Sequence, residues 1–551
     1  MQQVRFTIPD YPAWFKACSI TRFHMRFSPF ALLQRCAVAA LLSASFLTST
    51  AYAQLVPGNS SDTLPAAMSI ALQQARLDEA NLSVYVRSPL THQILLSKNA
   101  EIARNPASTM KMLTTIVALD ELGPTYRWKT QILSDEVIQA GKLAGDLYIR
   151  GGAEPNLSIE KLAGLLRQLR AQGVSLLLGD IVLDRSFFNP ARPDLGAADF
   201  DEFPDAYYNV IPDPLLLQNN LLHLQIDSDA FHSKVQLLTP LRKFKLDNQL
   251  QLNELACTQW EKNWLRPDVS YDAQRTPTLH LHGSVPRNCK AQTRVNVVDR
   301  DIYWQQILAQ LWSELGGSWR GKIKVGATPK QARVLVESQS ETLAEVIRTI
   351  NKSSDNTLAR LVYLSLGAEA ARQERDKNAP QTDKSSGEKS TDNNTDKPDS
   401  HFIYAEQRIR RWMQRHSIDE QGLVLENGSG LSRKERISAE QLASVLQFGW
   451  QSLWSAEIQA SMPIAALDGT MRKRLKSGPA EFRARIKTGT LNEACAIAGY
   501  VYDAQNQPWI VVAMINQDKA GRGRAALDEL ITWLAAYPNT SMQAASRPVQ
   551  P

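Results

Sequence analysis

The sequence predicts an α+β protein: an antiparallel sheet covered by helices, together with an all-helical subdomain, split by a large inserted α/β and β-rich region. Three observations predict it. A helix pattern and a strand pair occupy residues 63–97. Three consecutive strand patterns and a helix occupy residues 484–537. Between them lie a run of short alternating elements at 126–327 and then a return to long helical periodicity. One domain, divided in sequence, accommodates both ends and the helical middle.

Residues 1–53 read as a secretory leader. Cys36 to Leu47 is a short apolar run behind Arg22, Arg26 and Arg35, and Ala51-Tyr52-Ala53 is a small-x-small cleavage signature ahead of Gln54. The run is too short to span a bilayer. Met25 gives a leader of standard length. The expected location is therefore periplasmic, after cleavage between Ala53 and Gln54. The chain carries a formal charge of +6. Arg5, Lys16, Arg22, Arg26 and Arg35 against Asp10 place +4 of it in the leader, leaving +2, so the basicity does not point to nucleic acid. No later segment is apolar for about 18 residues, so no transmembrane segment is expected after cleavage.

Residues 54–125 form the first part of the split domain. Leu64, Ala67, Met68, Ala71, Leu72 and Ala75 share one face of a helix over 63–77. Strands follow at 82–87 and 93–97, joined across Pro89-Leu90-Thr91. In the inserted region, Gly-Asp opens two strand-like pieces, at 145–152 and 179–184, with a helix at 162–169 between them. Residues 221–290 have β-rich alternation. Residues 328–540 complete the domain: helical periodicity at 342–365, helices at 405–414 and 439–452, strands at 484–492, 494–503 and 509–516, and a helix at 525–537 stopped by Pro538. Within it, 371–400 is charged and has no large apolar residue, which predicts a disordered loop. Residues 541–551 form a tail.

Asn105-Pro106-Ala107-Ser108-Thr109-Met110-Lys111 is the segment with chemistry. Asn105 suits an N-cap and Pro106 a first helical position. Ser108 then falls in the first turn, where backbone N–H groups lack intrahelical partners. Lys111 lies three residues on, on the same face. A hydroxyl, an adjacent amine and a free N–H are the parts of an acyl-transfer nucleophile. Ser-x-x-Lys alone arises by chance about twice in a chain of this length, and a surface Ser and Lys fits it equally, so its partners decide. Ser354-Asp355-Asn356 sits at a junction between two helices, where a turn points Ser354 and Asn356 the same way; a simple helix cap is the competing reading. Lys487-Thr488-Gly489-Thr490 closes a strand whose edge suits an extended peptide ending in a carboxylate. Lys487 would bind that carboxylate, and its charge near Lys111 would favour the neutral amine.

The three motifs, with the segments Gly145–Gly152, Asp184–Phe188, Tyr208–Asp213, Asn427–Ser432 and Asp468–Arg472 and the long insertion, resemble the class C low-molecular-mass penicillin-binding proteins, the D-alanyl-D-alanine carboxypeptidase/endopeptidase family. The resemblance implies a penicillin-binding/β-lactamase-like domain with Ser108 acylated, Lys111 as general base and Ser354 completing the proton network. Asn356, Lys487, Thr488, Gly489 and Thr490 would hold substrate, and the N–H groups of Ser108 and Thr490 would form the oxyanion hole. Substrates would be peptidoglycan stem peptides and cross-bridges, and β-lactams would be covalent inhibitors. Cys257 and Cys289 flank one stretch and can pair; with Trp260 they look like the cysteine pair of some members, whereas Cys495 sits in an apolar run. No metal-ligand spacing is present, and no cofactor is implied. Two other functions fit less of the pattern. A β-lactamase or esterase would turn penicillin over rapidly, and a non-catalytic cell-wall-binding protein would need no base beside the hydroxyl.

Overall fold

The computed structural model describes residues 61–378 and 400–538. The leader, most of the charged loop and the tail lie outside the described residues. The two ends of the chain build one five-stranded antiparallel sheet, ordered Ile94–Lys98, Leu82–Arg87, Pro508–Asn516, Ala494–Tyr502 and Ala484–Thr490. The strand pair and the C-terminal strands meet where Val84 pairs with Ala513.

Successive side chains on a strand point to opposite faces, and here both faces are covered. Val84, Val86, Ile497, Val511 and Ala513 pack with Met68, Leu72, Leu527 and Ile531 from the helices Ala66–Ala75 and Arg524–Ala535. Tyr85, Ala496, Ala498, Val512 and Met514 pack with Ile116, Val117, Leu442 and Val445 from Met110–Leu122 and Ala439–Gln451. Double coverage is why 494–502 and 508–516 read as continuous apolar runs rather than alternating ones. Each buried Val, Leu, Ile or Met among them contributes about 1.5–3 kcal/mol. The first helix begins at Ala66 rather than residue 63, because Pro65 stands at its N-cap.

The helical layer continues with Leu343–Ser353, opened by a capping box between Thr342 and Glu345, then Asn356–Asn378 and His401–Arg415. The break between the first two falls at Ser354, whose φ is +61°. The helix from Asn356 runs through the loop onset expected at 371. Its charged end is a helix-forming composition, and Glu374 reaches Arg411 on the neighbouring helix.

The insertion carries its own core, with Ile159–Ala171 and Arg300–Glu314 packed against strands. Its main sheet runs Ile323–Val325, Ile181–Asp184, Leu147–Gly151, Lys129–Ser134, Arg333–Gln339. The last strand lies beyond the boundary expected at residue 327, because it returns antiparallel onto Lys129–Ser134. The β-rich part contains Leu222–Ser228 between Ser233–Leu237 and Lys290–Val295. Cys257 and Cys289 form a disulfide there, with Cα atoms 5.3 Å apart, and Cys495 is free and buried.

Candidate active site

The turn bearing Ser108 is set by its flanks. Asn105 Oδ1 accepts the Ala107 N–H at 2.9 Å, Asn105 N–H donates to Asn516 Oδ1, and Asn105 Nδ2 donates to Ser432 O. Ala107 has φ +44°, and a short 3-10 turn, Ala107–Thr109, leads into the helix Met110–Leu122. Two glycines crowd this turn. A Cβ on Gly489 would stand 2.7 Å from Ser108 N, and one on Gly430 would collide with Ala107 O. Only a residue without a side chain brings the strand Ala484–Thr490 this close to the nucleophile turn.

Lys111 is fully buried. Its Nζ lies 3.0 Å from Ser108 Oγ, and it donates to Asn356 Oδ1 at 2.7 Å and to Ser429 O at 2.6 Å. A neutral amine has two N–H bonds and one lone pair. Two carbonyl-type oxygens take both N–H bonds, so the lone pair faces the Ser108 hydroxyl. Burial pushes Lys111 down to about 7; Arg360 pushes the same way, and Asp355 and Glu435 oppose it. Burial is the main cause of the shift, and repulsion between Lys111 and Lys487 disfavours charging both at once. Lys487 itself is held well below its ordinary value, first by burial and then by the charge of Lys111.

Lys487 Nζ donates to Ser354 Oγ at 2.8 Å and to Thr488 O at 2.7 Å. It is fully buried, so it does not meet a substrate carboxylate in the open as its place on the strand suggests. The groups exposed to the clefts there are the hydroxyls of Thr488 and Thr490, with Thr488 Oγ1 2.9 Å from Thr470 Oγ1. Asn356 is partly committed. Its Oδ1 holds Lys111, one N–H of its Nδ2 donates to Tyr208 O at 3.1 Å, and the residue lines the wider cleft, where the second N–H is left for a ligand. Ser108, Lys111, Ser354, Asn356, Lys487, Thr488, Gly489 and Thr490 thus come together from three separate stretches of chain. Two clefts, of about 1090 and 470 Å³, open from Ser108, Ser354 and Thr490.

Sequence reasoning missed two supports of Lys111. One is the Ser429 carbonyl. The other is Glu435, a buried carboxylate that accepts N–H bonds from Glu426, Asn427 and Gly428 on Oε1 and from Gly430 on Oε2, at 2.8–3.2 Å. Burial raises its pKa and those N–H groups lower it, with burial dominant. The available signal was the pair Gly428 and Gly430 around Ser429, whose φ values of +71° and +76° mark a tight loop. The insertion also reaches the site. Thr357 Oγ1 donates to Val210 O at 3.0 Å, and Arg360 donates to Asn209 O at 3.3 Å, next to the Tyr208 contact.

Comparison with known proteins gives one consistent result. The profile of the D-Ala-D-Ala carboxypeptidase 3 (S13) family matches residues 64–384 and 388–537. The D-alanyl-D-alanine carboxypeptidase DacB of Haemophilus influenzae is 24% identical over 458 residues, 82% of this chain and 88% of that protein. The D-alanyl-D-alanine carboxypeptidase of Actinomadura sp. (strain R39) is 24% identical over 483 residues, 85% and 83% of the two chains. The crystal structure of penicillin binding protein 4 (dacB) from Haemophilus influenzae superposes with a TM-score of 0.68 at 23% identity, covering 85% of this chain and 99% of that one, which establishes the shared fold.

Proposed function

The chain belongs to the D-Ala-D-Ala carboxypeptidase 3 (S13) family of class C low-molecular-mass penicillin-binding proteins, and on that premise we propose that Ser108 is the acylated nucleophile of its serine D,D-peptidase activity and Lys111 the base that activates it. The observation that carries this reading is the buried Lys111 amine, 3.0 Å from Ser108 Oγ, with both N–H bonds committed elsewhere. Attack of Oγ on the penultimate D-alanyl carbonyl transfers the hydroxyl proton to Lys111 Nζ. The N–H groups of Ser108 and Thr490 stabilise the oxyanion; the close approach at Gly489 supports that placement. Ser354, bonded to Lys487, passes a proton to the departing amine, whose carboxylate rests on the hydroxyls of Thr488 and Thr490. Water then hydrolyses the acyl-enzyme.

The substrates are peptidoglycan stem peptides and their cross-bridges, and β-lactams trap the acyl-enzyme. The leader-like residues 1–53 support export to the periplasm with cleavage after Ala53. Among the described residues no helix is long and apolar enough to cross a membrane. The direct test is Ser108→Ala: covalent labelling by fluorescent penicillin and release of D-alanine should both be abolished. Retention of either in that variant refutes the assignment.

A further inference from the structure

The two clefts that meet at Ser108 differ in charge. The wider one mixes signs, with Asp201, Asp355, Glu493 and Asp518 beside its arginines. Arg472, Lys473, Arg474 and Arg524 line the smaller one, and no carboxylate lines it. Among the described residues Arg474 is paired with Asp528 at 2.6 Å, whereas Arg472, Lys473 and Arg524 are exposed and make no ion pair. Three uncompensated cations in one concavity create a field that attracts anions.

The smaller cleft is also where the departing group goes. Thr488, one of the hydroxyls that receives the carboxylate of the departing residue in the reading above, lines it and not the wider cleft. The loop that carries Arg472 and Lys473 is anchored on both sides. Asp468 accepts from Lys352 at 2.6 Å, Thr470 Oγ1 bonds Thr488 Oγ1, and Arg474 is clamped by Asp528. Arg472 and Lys473 are therefore presented beside the substrate-binding strand by a fixed loop, and Arg524 by the start of the helix Arg524–Ala535, which lowers the ordering cost of binding. One carboxylate is already served by the threonine hydroxyls, and nothing in a lone D-alanine answers the remaining charge.

We propose that Arg472, Lys473 and Arg524 form a leaving-group subsite for a second carboxylate, so that the preferred substrates are D-alanyl amides whose amine side is an anionic residue or peptide carrying at least two carboxylates. The reaction is the same hydrolysis: the D-alanyl C–N bond breaks, water supplies the hydroxyl of the new acid, and the departing amine takes the proton. The inference rests on Ser108 being the nucleophile.

The test uses N-acyl-D-Ala-D-Ala, N-acyl-D-Ala-D-Glu and N-acyl-D-Ala-D-Lys with one common acyl group and purified residues 54–551. In the wild type, kcat/KM for the D-Glu substrate should exceed that for the D-Lys substrate by about 10-fold at low salt, and the ratio should shrink in 0.5 M salt. The triple variant Arg472→Ser, Lys473→Ser, Arg524→Ser should bring the ratio to below about 3, and Arg472→Glu alone should shift preference toward D-Lys. A wild-type ratio near one, or a ratio unchanged in the triple variant, overturns the subsite; if the wild type still labels with penicillin and releases D-alanine, the peptidase reading stands. A wild type that neither labels nor hydrolyses any of the three overturns both.

Discussion

Glu435→Gln separates the scaffold of the base from the base itself. The carboxylate collects N–H bonds from Glu426, Asn427, Gly428 and Gly430 and so shapes the loop whose Ser429 carbonyl holds Lys111 Nζ at 2.6 Å. Glutamine can keep its oxygen on the three N–H groups at Oε1. It then turns an NH₂ toward the Gly430 N–H, so one charge-assisted bond is replaced by two donors facing each other. Such a bond contributes about 1.5–3 kcal/mol, and relief of the buried charge offsets part of the loss, which gives about 2 kcal/mol of destabilisation. Gly430 also packs on Ala107 and Ser108, so the displacement reaches the nucleophile turn. If about 1.4 kcal/mol of the loss appears as misalignment of Lys111, acylation slows about tenfold. The charge has a separate effect. The Glu435 carboxylate raises the Lys111 pKa, so removing it lowers that pKa and moves the acid limb of the acylation profile to lower pH. Urea unfolding and the rate of fluorescent-penicillin acylation from pH 5 to 9 measure both. A variant with wild-type stability, a plateau rate within twofold and a limb unmoved or shifted upward refutes the reasoning.

Gly489→Ala should reduce acylation more than tenfold, because its Cβ would lie 2.7 Å from Ser108 N and 2.8 Å from Pro106 O, pushing the strand from the nucleophile; acylation kinetics beside a thermal melt separate this from global unfolding. Thr357→Val removes the bond to Val210 O and should cost about 1 kcal/mol of stability, with faster amide exchange at 207–210 than in the wild type; unchanged exchange there would mean that the bond does not tether the insertion.

The Ser108–Lys111 pair was legible because helix geometry is local: three residues along, the same face is certain once the turn is known. Two of the other partners needed only their motifs, since Ser354 lies at a helix break and Thr488 at a strand end. What stayed hidden depends on atoms or depths that residue names do not encode. The Ser429 carbonyl is backbone, and any residue could have supplied it. Lys487 reads as a cation for a carboxylate until packing against Ser354 encloses it. Asn356 reads as a free amide, and the Tyr208 carbonyl presented by the insertion takes one of its N–H bonds. The Arg333–Gln339 strand sits next to the helical return in sequence, and only its pairing with Lys129–Ser134 assigns it to the insertion. The charged end of the helix at 371–378 shows that composition too polar for a core still forms helix when a neighbouring helix offers ion pairs.

In this mechanism an uncharged Lys111 takes the proton of Ser108. The rate constant for formation of the Ser108–penicillin adduct, followed by mass between pH 5 and 9 in the wild type and in Lys111→Ala, tests it most directly. Lys111 must be deprotonated to act, so the wild-type rate should rise with pH through a midpoint near 7, as its depressed pKa requires. In Lys111→Ala that midpoint should vanish, and the rate at pH 8 should fall at least ~10²-fold. A flat wild-type profile, or the same midpoint surviving in Lys111→Ala, would contradict it.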